Sequence, residues 1–198
     1  MGAAVDCEAI GDGLFGQPVN SVTTLAFVVA GLWIAGFRPD RRWVGAALTA
    51  TGLGSFLFHG PMPTGAEWAH DVTLAWLLVV VAGNGTRWER TTQVPGLVAL
   101  AVLFALFPAA ADPTAVAIVV VAVAVRIRID RTPHTWGALS LLATTAIIGR
   151  LGATGGPLCN PESLIQPHGL WHLGAAASVT WWALATRPKQ ARQITEAR

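Results

Sequence analysis

Charged residues are scarce in this sequence: they make up 12% of its 198 residues, whereas hydrophobic residues make up 53%. Soluble globular domains carry roughly twice that charged fraction. The few basic residues form no patch that would predict a nucleic-acid partner. The chain also lacks internal repeats, low-complexity tracts and any sign of a second domain. These absences favour a membrane protein with a single domain over residues 1–198.

The start of the chain lacks a basic region followed by an apolar core, so no cleaved signal peptide is predicted. Residues 1–16 are instead polar and rich in glycine. We expect residues 1–17 to form a short segment outside the membrane.

Long apolar blocks dominate the rest of the chain, each close to the ~20 residues that a helix needs to cross a bilayer. We predict seven membrane-spanning helices, at residues 18–37, 42–60, 67–84, 94–111, 113–127, 135–151 and 167–186. The fourth and fifth spans meet at Asp112-Pro113, which favours a turn between two helices. The predicted fold is therefore an all-α bundle of seven transmembrane helices.

The basic residues predict how this bundle is oriented. All but one of the thirteen lysine and arginine residues follow the odd-numbered spans or lie in the tail at 187–198; Arg150 is the exception. Because positively charged loops remain in the cytoplasm, the N-terminus is expected outside and the basic tail inside. The compact loops and high alanine content are typical of a bacterial inner-membrane protein.

Ionisable residues collect at the predicted outer ends of three spans. His168 and His172, at the start of the seventh span, are four residues apart and share one helical face, about 6 Å apart along the axis. The outer ends of spans two and three add four candidate groups, which are Ser55, His59, His70 and Asp71. Such groups are costly within a membrane, so their concentration at one level predicts a functional site.

Three of the histidines have the composition of a catalytic zinc site, which uses three protein ligands and keeps a fourth position for water. His59, His168 and His172 are the candidate ligands. Zinc lowers the pKa of bound water to ~7. Asp71 is then the candidate general base or partner of that water. The hydroxyl of Ser55, one turn before His59, is placed to donate to an oxyanion.

Other interpretations of these residues remain open. On a helix, His70 is expected to point about 100° away from Asp71, so it is a candidate neighbour of the ligands rather than a ligand. Haem held by histidines on facing helices is the rival metal site, but it leaves Asp71 and Ser55 without a role.

These motifs resemble the signature of the alkaline ceramidase family, part of the CREST superfamily of seven-span membrane hydrolases that also includes the adiponectin-type receptors. The resemblance covers nearly the whole chain. The shared pattern consists of Ser55-x3-His59, then Asp71, then His168-x3-His172. Features similar to the ceramidase branch in particular are Cys7-Glu8, Asn20-Ser21, Cys159 and the His-x-x-Trp-His-Leu run at 168–173.

The resemblance implies a zinc-dependent amide hydrolase that splits ceramide, taken from the bilayer, into a sphingoid base and a fatty acid. It implies His59, His168 and His172 as zinc ligands, Asp71 beside the catalytic water and Ser55 at the oxyanion. The residues by themselves fit other lipid amides, such as N-acyl amino acids, equally well. They also leave open a seven-span lipid-sensing receptor whose zinc is structural. A closed site, with Asp71 or His70 as the fourth ligand, would favour that alternative.

The two cysteines, Cys7 and Cys159, both lie in predicted outer segments, where an oxidising compartment permits a disulfide. Two cysteines allow one intramolecular pairing, which we predict here. Two unrelated free thiols are the alternative.

Calcium is a second metal that the resemblance raises, because animal alkaline ceramidases bind it through acidic N-terminal residues and a carboxylate at the start of span one. Asp6, Glu8 and Asp12 are the available oxygen ligands here. Gln17, however, stands where the family has a glutamate. Calcium takes six to eight oxygens, preferably several carboxylates, so this substitution argues against a calcium site.

Overall fold

A computed structural model describes residues 3–186, and this part of the chain is all-α, without a strand. Its helices are α1 (Pro18–Thr23), α2 (Leu25–Phe37), α3 (Arg42–His59), α4 (Ala66–Gly83), α5 (Glu89–Thr92), α6 (Val94–Leu106), α7 (Ala111–Ile129), α8 (Pro133–Leu151) and α9 (Pro167–Ala185). Each of the seven predicted spans therefore coincides with helical structure. The predicted cytoplasmic tail, residues 187–198, lies outside the described residues.

Three segments of the described chain are long and apolar enough to cross a membrane: Pro18–Phe37, Ala66–Gly83 and Pro108–Ile129. The first contains α1 and α2, and the third contains α7 with the short turn before it. The other four predicted spans do not combine the length and the mean hydropathy of a membrane-spanning helix. Helix α6 has only 13 residues, whereas α3, α8 and α9 are long enough but less apolar.

The helices pack closely through small residues. Helix α3 lies between α2 and α4, and α9 packs against α8 and α2. A Cβ atom added to Gly31 or Gly45 would lie 2.6 Å from the carbonyl oxygen of the other glycine, so only glycine permits this approach of α2 and α3. Small residues at helix contacts are typical of membrane bundles. The apolar core between the helices includes Leu48, Trp76 and Phe104.

Most of the arginines lie at one end of the bundle, and His59, His168 and His172 lie at the other; we call these the arginine end and the histidine end. Helix α3 begins at Arg42 and ends at His59, about 25 Å away at 1.5 Å per residue. At the arginine end, Arg41 donates to the carbonyl of Trp182 (3.1 Å) and the hydroxyl of Thr186 (2.7 Å), and its guanidinium lies 4.1 Å from the centre of the Trp182 ring. These bonds attach the C-terminus of α9 to the segment that precedes α3.

A disulfide joins Cys7 to Cys159, with the two Cα atoms 5.6 Å apart, so the predicted pairing is confirmed and the alternative of two free thiols is wrong. The neighbouring backbone reinforces it: the Thr154 hydroxyl donates to the carbonyl of Ala4 (2.6 Å), and the Thr154 N–H donates to that of Val5 (2.9 Å). The N-terminal segment is thereby fixed to the loop between α8 and α9, at the histidine end.

Candidate metal centre

Three histidines converge at the histidine end, as the sequence predicts. His59 is the last residue of α3, and His168 and His172 lie in the first two turns of α9. One ring nitrogen of each lies within 4.8 Å of those of the other two. His59 is 0% and His172 2% exposed. Among residues 3–186, this is the one group of three potential ligands brought so close together.

Hydrogen bonds determine which nitrogen of His59 is free to bind a metal. Its Nδ1 lies 2.7 Å from Oε1 of Gln17. The Gln17 amide nitrogen donates to the carbonyls of Ala3 and Glu8, both at 2.9 Å, so Oε1 is the acceptor end of that side chain. His59 must therefore donate from Nδ1, which leaves the lone pair on Nε2. That Nε2 atom is buried and has no hydrogen-bond partner.

His172 is oriented in the same way by a hydroxyl group. Its Nδ1 lies 3.0 Å from Oγ1 of Thr23. The Thr23 hydroxyl donates its single proton to a backbone carbonyl of its own helix, that of Val19 at 2.8 Å or Asn20 at 3.0 Å. It therefore accepts from His172 Nδ1–H, and the His172 lone pair is also on Nε2.

A carboxylate orients the third histidine. Nδ1 of His168 lies 3.1 Å from Oδ1 of Asp6, one residue before the disulfide. Burial raises the pKa of Asp6 to about 6, and the charge of His70 opposes that rise. The ionised carboxylate accepts the Nδ1 proton, so His168 also presents Nε2.

This donor set fits a metal ion. Three Nε2 lone pairs that face one another repel unless a cation lies between them, and the buried Nε2 of His59 carries a desolvation cost that a metal would remove. Metal-binding histidines typically donate their other N–H to a carboxylate, carbonyl or similar acceptor, as all three do here. Imidazole nitrogens suit zinc, copper, iron and nickel. The site can therefore hold a transition-metal ion.

The sequence analysis missed these acceptors as partners of the ligands. The sequence motifs suggest Asp6 and Gln17 only in connection with calcium, and they suggest no role for Thr23. The sequence feature that could have identified these acceptors is the concentration of polar side chains at the start of the first apolar span. A helix surrounded by lipid would not carry them. These side chains are Gln17, Asn20, Ser21, Thr23 and Thr24, of which all but Thr23 are fully buried.

The three acids considered for calcium have different environments. The Glu8 carboxylate accepts backbone N–H bonds from Val19 (2.6 Å) and Asn20 (2.8 Å) at the start of α1. Asp6 accepts from His168, and Asp12 is exposed. The sequence-based argument against calcium stays a prediction.

Asp71 and His70 lie beside the three histidines rather than among them. Oδ1 of Asp71 is 2.9 Å from Nδ1 of His70, so the expectation that these neighbours point apart is wrong. Both side chains are long enough to turn towards each other although their Cβ atoms diverge. The His70 ring stacks on Phe58, with its centre 6.3 Å from that of His59. Ser55 is buried one turn before His59 on α3, as expected.

A cleft of about 890 Å³ opens beside this centre. Its wall includes the ligand His168 and the His70–Asp71 pair, together with apolar side chains such as Phe58 and Trp68. Four carboxylates line the cleft, those of Asp6, Glu67, Asp71 and Asp112. No lysine or arginine of the described chain lines it. A molecule with an apolar chain and a polar group without negative charge fits such a cleft.

No family model, curated protein or solved structure among those compared matches this chain.

Proposed function

We propose that this protein is an integral-membrane, zinc-dependent hydrolase of lipid amides, and that its substrate is ceramide, which it cleaves to a sphingoid base and a fatty acid. The observation that carries the proposal is the set of three oriented histidines beside an open cleft. Neither Asp71 nor His70 belongs to the group of ligand atoms within 4.8 Å. A three-ligand site keeps a position for water and substrate, whereas structural zinc sites are usually closed by four protein ligands.

The proposed topology has seven transmembrane helices, with the N-terminus outside and the C-terminus in the cytoplasm. Three segments have the length and hydropathy of membrane spans. Of the other four, α3, α8 and α9 carry glycine and polar residues on faces that pack against neighbouring helices, and α6 is apolar but short. The arginine end then faces the cytoplasm by the positive-inside rule. This places the histidine end towards the outer face of a bacterial inner membrane, where the disulfide is also favoured.

In the proposed mechanism, His59, His168 and His172 would hold the zinc ion, and their acceptors fix the direction of each ring. The chemistry that zinc would supply there is polarisation of the amide carbonyl and a lowered pKa of bound water. Asp71 lines the cleft, where it takes the proton of the attacking water and returns it to the leaving amine. Ser55 would donate a hydrogen bond from its hydroxyl to the developing oxyanion.

The charge of the cleft supports ceramide over the N-acyl amino acids. A ceramide carries only neutral hydroxyl groups beside its amide, and its amine product is cationic. An N-acyl amino acid would bring its carboxylate into a cleft lined by four carboxylates, which is electrostatically unfavourable. The apolar wall of the cleft suits the lipid chains.

The test is to measure bound zinc and fatty-acid release in the purified protein, with a panel of ceramides and other lipid amides. His172→Ala is expected to lose both zinc and activity, because it removes a ligand. Asp71→Asn is expected to retain zinc and lose activity by 10²- to 10⁴-fold, the usual contribution of a general acid or base. His134→Ala is the matched control, since His134 lies at the arginine end and contacts Trp181.

Three outcomes would contradict parts of the proposal. Absence of zinc from the purified protein would remove the metal centre itself. Bound zinc without cleavage of any lipid amide would favour a lipid-sensing protein with structural zinc. Loss of zinc in Asp71→Asn would make Asp71 a ligand rather than the proton carrier.

A further inference from the structure

A second cleft, of about 430 Å³, lies at the arginine end of the bundle, far from the three histidines. It is formed by the start of α3 and by the segment that runs from the end of α4 through α5. Three arginines line it, which are Arg42, Arg87 and Arg90. Trp43 and Gln93 complete part of the wall.

The arginines of this cleft have no carboxylate partner within residues 3–186, although two acids lie beside them. Asp40 is paired with Arg38, at 2.8 Å. The Glu89 carboxylate accepts a hydrogen bond from the backbone N–H of Gly85, at 3.0 Å. The cleft therefore holds three guanidinium groups against two carboxylates, and one of these carboxylates, that of Asp40, is already paired with Arg38 outside the cleft.

Other arginines at the same end have a visible structural purpose. Arg38 and Arg41 donate to carbonyls at the end of α9, and Arg126 donates to those at the end of α4. The positive-inside rule accounts for basic residues on this side of the bundle. It does not account for three guanidinium groups that share one concave surface and have no carboxylate partner in the described chain, although that of Arg87 lies 4.8 Å from the centre of the Trp88 ring. Their arrangement matches an anion with several oxygen acceptors.

We propose that this cleft binds a phosphate group, carried either by the headgroup of an anionic phospholipid or by a soluble phosphate compound. Guanidinium groups bind phosphate through paired, charge-assisted hydrogen bonds, and three of them can surround its oxygens. The volume is sufficient for a phosphate and a small headgroup. Trp88 is 56% exposed beside the cleft, as is typical of tryptophan at the membrane interface.

This inference does not depend on the proposed hydrolase activity, because the cleft and the metal centre lie at opposite ends of α3. Native mass spectrometry of the full-length protein in detergent provides the lipid test, with phosphatidylglycerol and phosphatidylcholine titrated in parallel. We expect phosphatidylglycerol to be retained preferentially, and the double substitution R42Q/R87Q to weaken it about tenfold or more. R128Q/R131Q is the matched control, since it removes the same charge elsewhere at the arginine end.

Inorganic phosphate, measured by its effect on the melting temperature in lipid-free detergent, distinguishes the two sources. A shift by millimolar phosphate that R42Q/R87Q abolishes supports a soluble ligand; selective retention of phosphatidylglycerol alone supports a lipid headgroup. Equal weakening by R128Q/R131Q would overturn the proposal in favour of general surface charge, as would no selectivity with either probe. If R42Q/R87Q does not fold, the single substitution R90Q is compared with R128Q in the same assays.

Discussion

Gln17 is expected to control metal affinity although it binds no metal. It is 0% exposed, and its side chain makes four hydrogen bonds: Oε1 accepts from His59 Nδ1 and from Asn20 Nδ2, and Nε2 donates to the carbonyls of Ala3 and Glu8. Gln17→Ala leaves the buried Nδ1–H of His59 without an acceptor, at a cost of about 1–3 kcal/mol. Loss of such an acceptor typically weakens metal binding 10- to 100-fold. At about 1.4 kcal/mol per factor of ten, the two estimates agree.

Gln166 provides a matched control for this substitution. It is 1% exposed, stands immediately before α9 as Gln17 stands before α1, and donates to the carbonyls of Asn160, Pro161 and Ser163. Unlike Gln17, it contacts no histidine in the described chain. Gln166→Ala is therefore expected to lower thermal stability about as much as Gln17→Ala, without a comparable effect on zinc.

The assay is competition for zinc with a chelator of known affinity, alongside melting temperatures with and without the metal. We expect Gln17→Ala to show the larger loss of affinity and a smaller stabilisation by zinc. Equal losses of affinity in the two variants would refute the reasoning, because the effect would then come from general loosening of the histidine end. Unchanged affinity in Gln17→Ala would show that the His59 acceptor is unimportant for the metal.

Three further predictions follow from the same region. Thr23→Val should weaken zinc binding by about 1–3 kcal/mol, because His172 Nδ1–H loses its acceptor. Thr23→Ser keeps the hydroxyl and should leave zinc binding unchanged, and chelator competition measures both variants. Cys7→Ser should lower the free energy of unfolding by about 4–5 kcal/mol in the chain-entropy model, since the disulfide spans 152 residues. Denaturant titration under oxidising conditions measures this loss, and reduction of the wild-type protein should produce a loss of the same size. N-acyl amino acids should be hydrolysed at least about tenfold more slowly than ceramides of equal chain length, because the cleft is lined by carboxylates; equal values of kcat/KM would show that its charge does not select the substrate.

The positions of the helices and of the three histidines could be predicted because local patterns determine them. Apolar blocks mark where a helix forms, and the i, i+4 spacing of His168 and His172 places both rings on one face. His59 joins them because it ends its span at the same level. The disulfide could be predicted because Cys7 and Cys159 both lie in segments expected on the outer side of the membrane.

The acceptors of the histidines could not be predicted in this way, because each depends on a contact between distant parts of the chain. Thr23 meets His172 across 149 positions, and no spacing rule connects them. Sequence also overestimated the length of the fourth span: α6 ends at Leu106, after which the chain forms a short turn at Pro108–Ala110. Proline at 108 is compatible with a new turn but not with continuation of the helix.

The metal centre also has a consequence for biosynthesis. Its acceptors come from residues 6 to 23, whereas two of its three ligands come from α9, near the end of the described chain. Translation therefore produces the acceptors first, and His168 and His172 follow only after α1 to α8. All three histidines can hold one metal ion only after α9 has packed beside the end of α3. A bound ion would then mark a chain whose first and last described helices have already packed together.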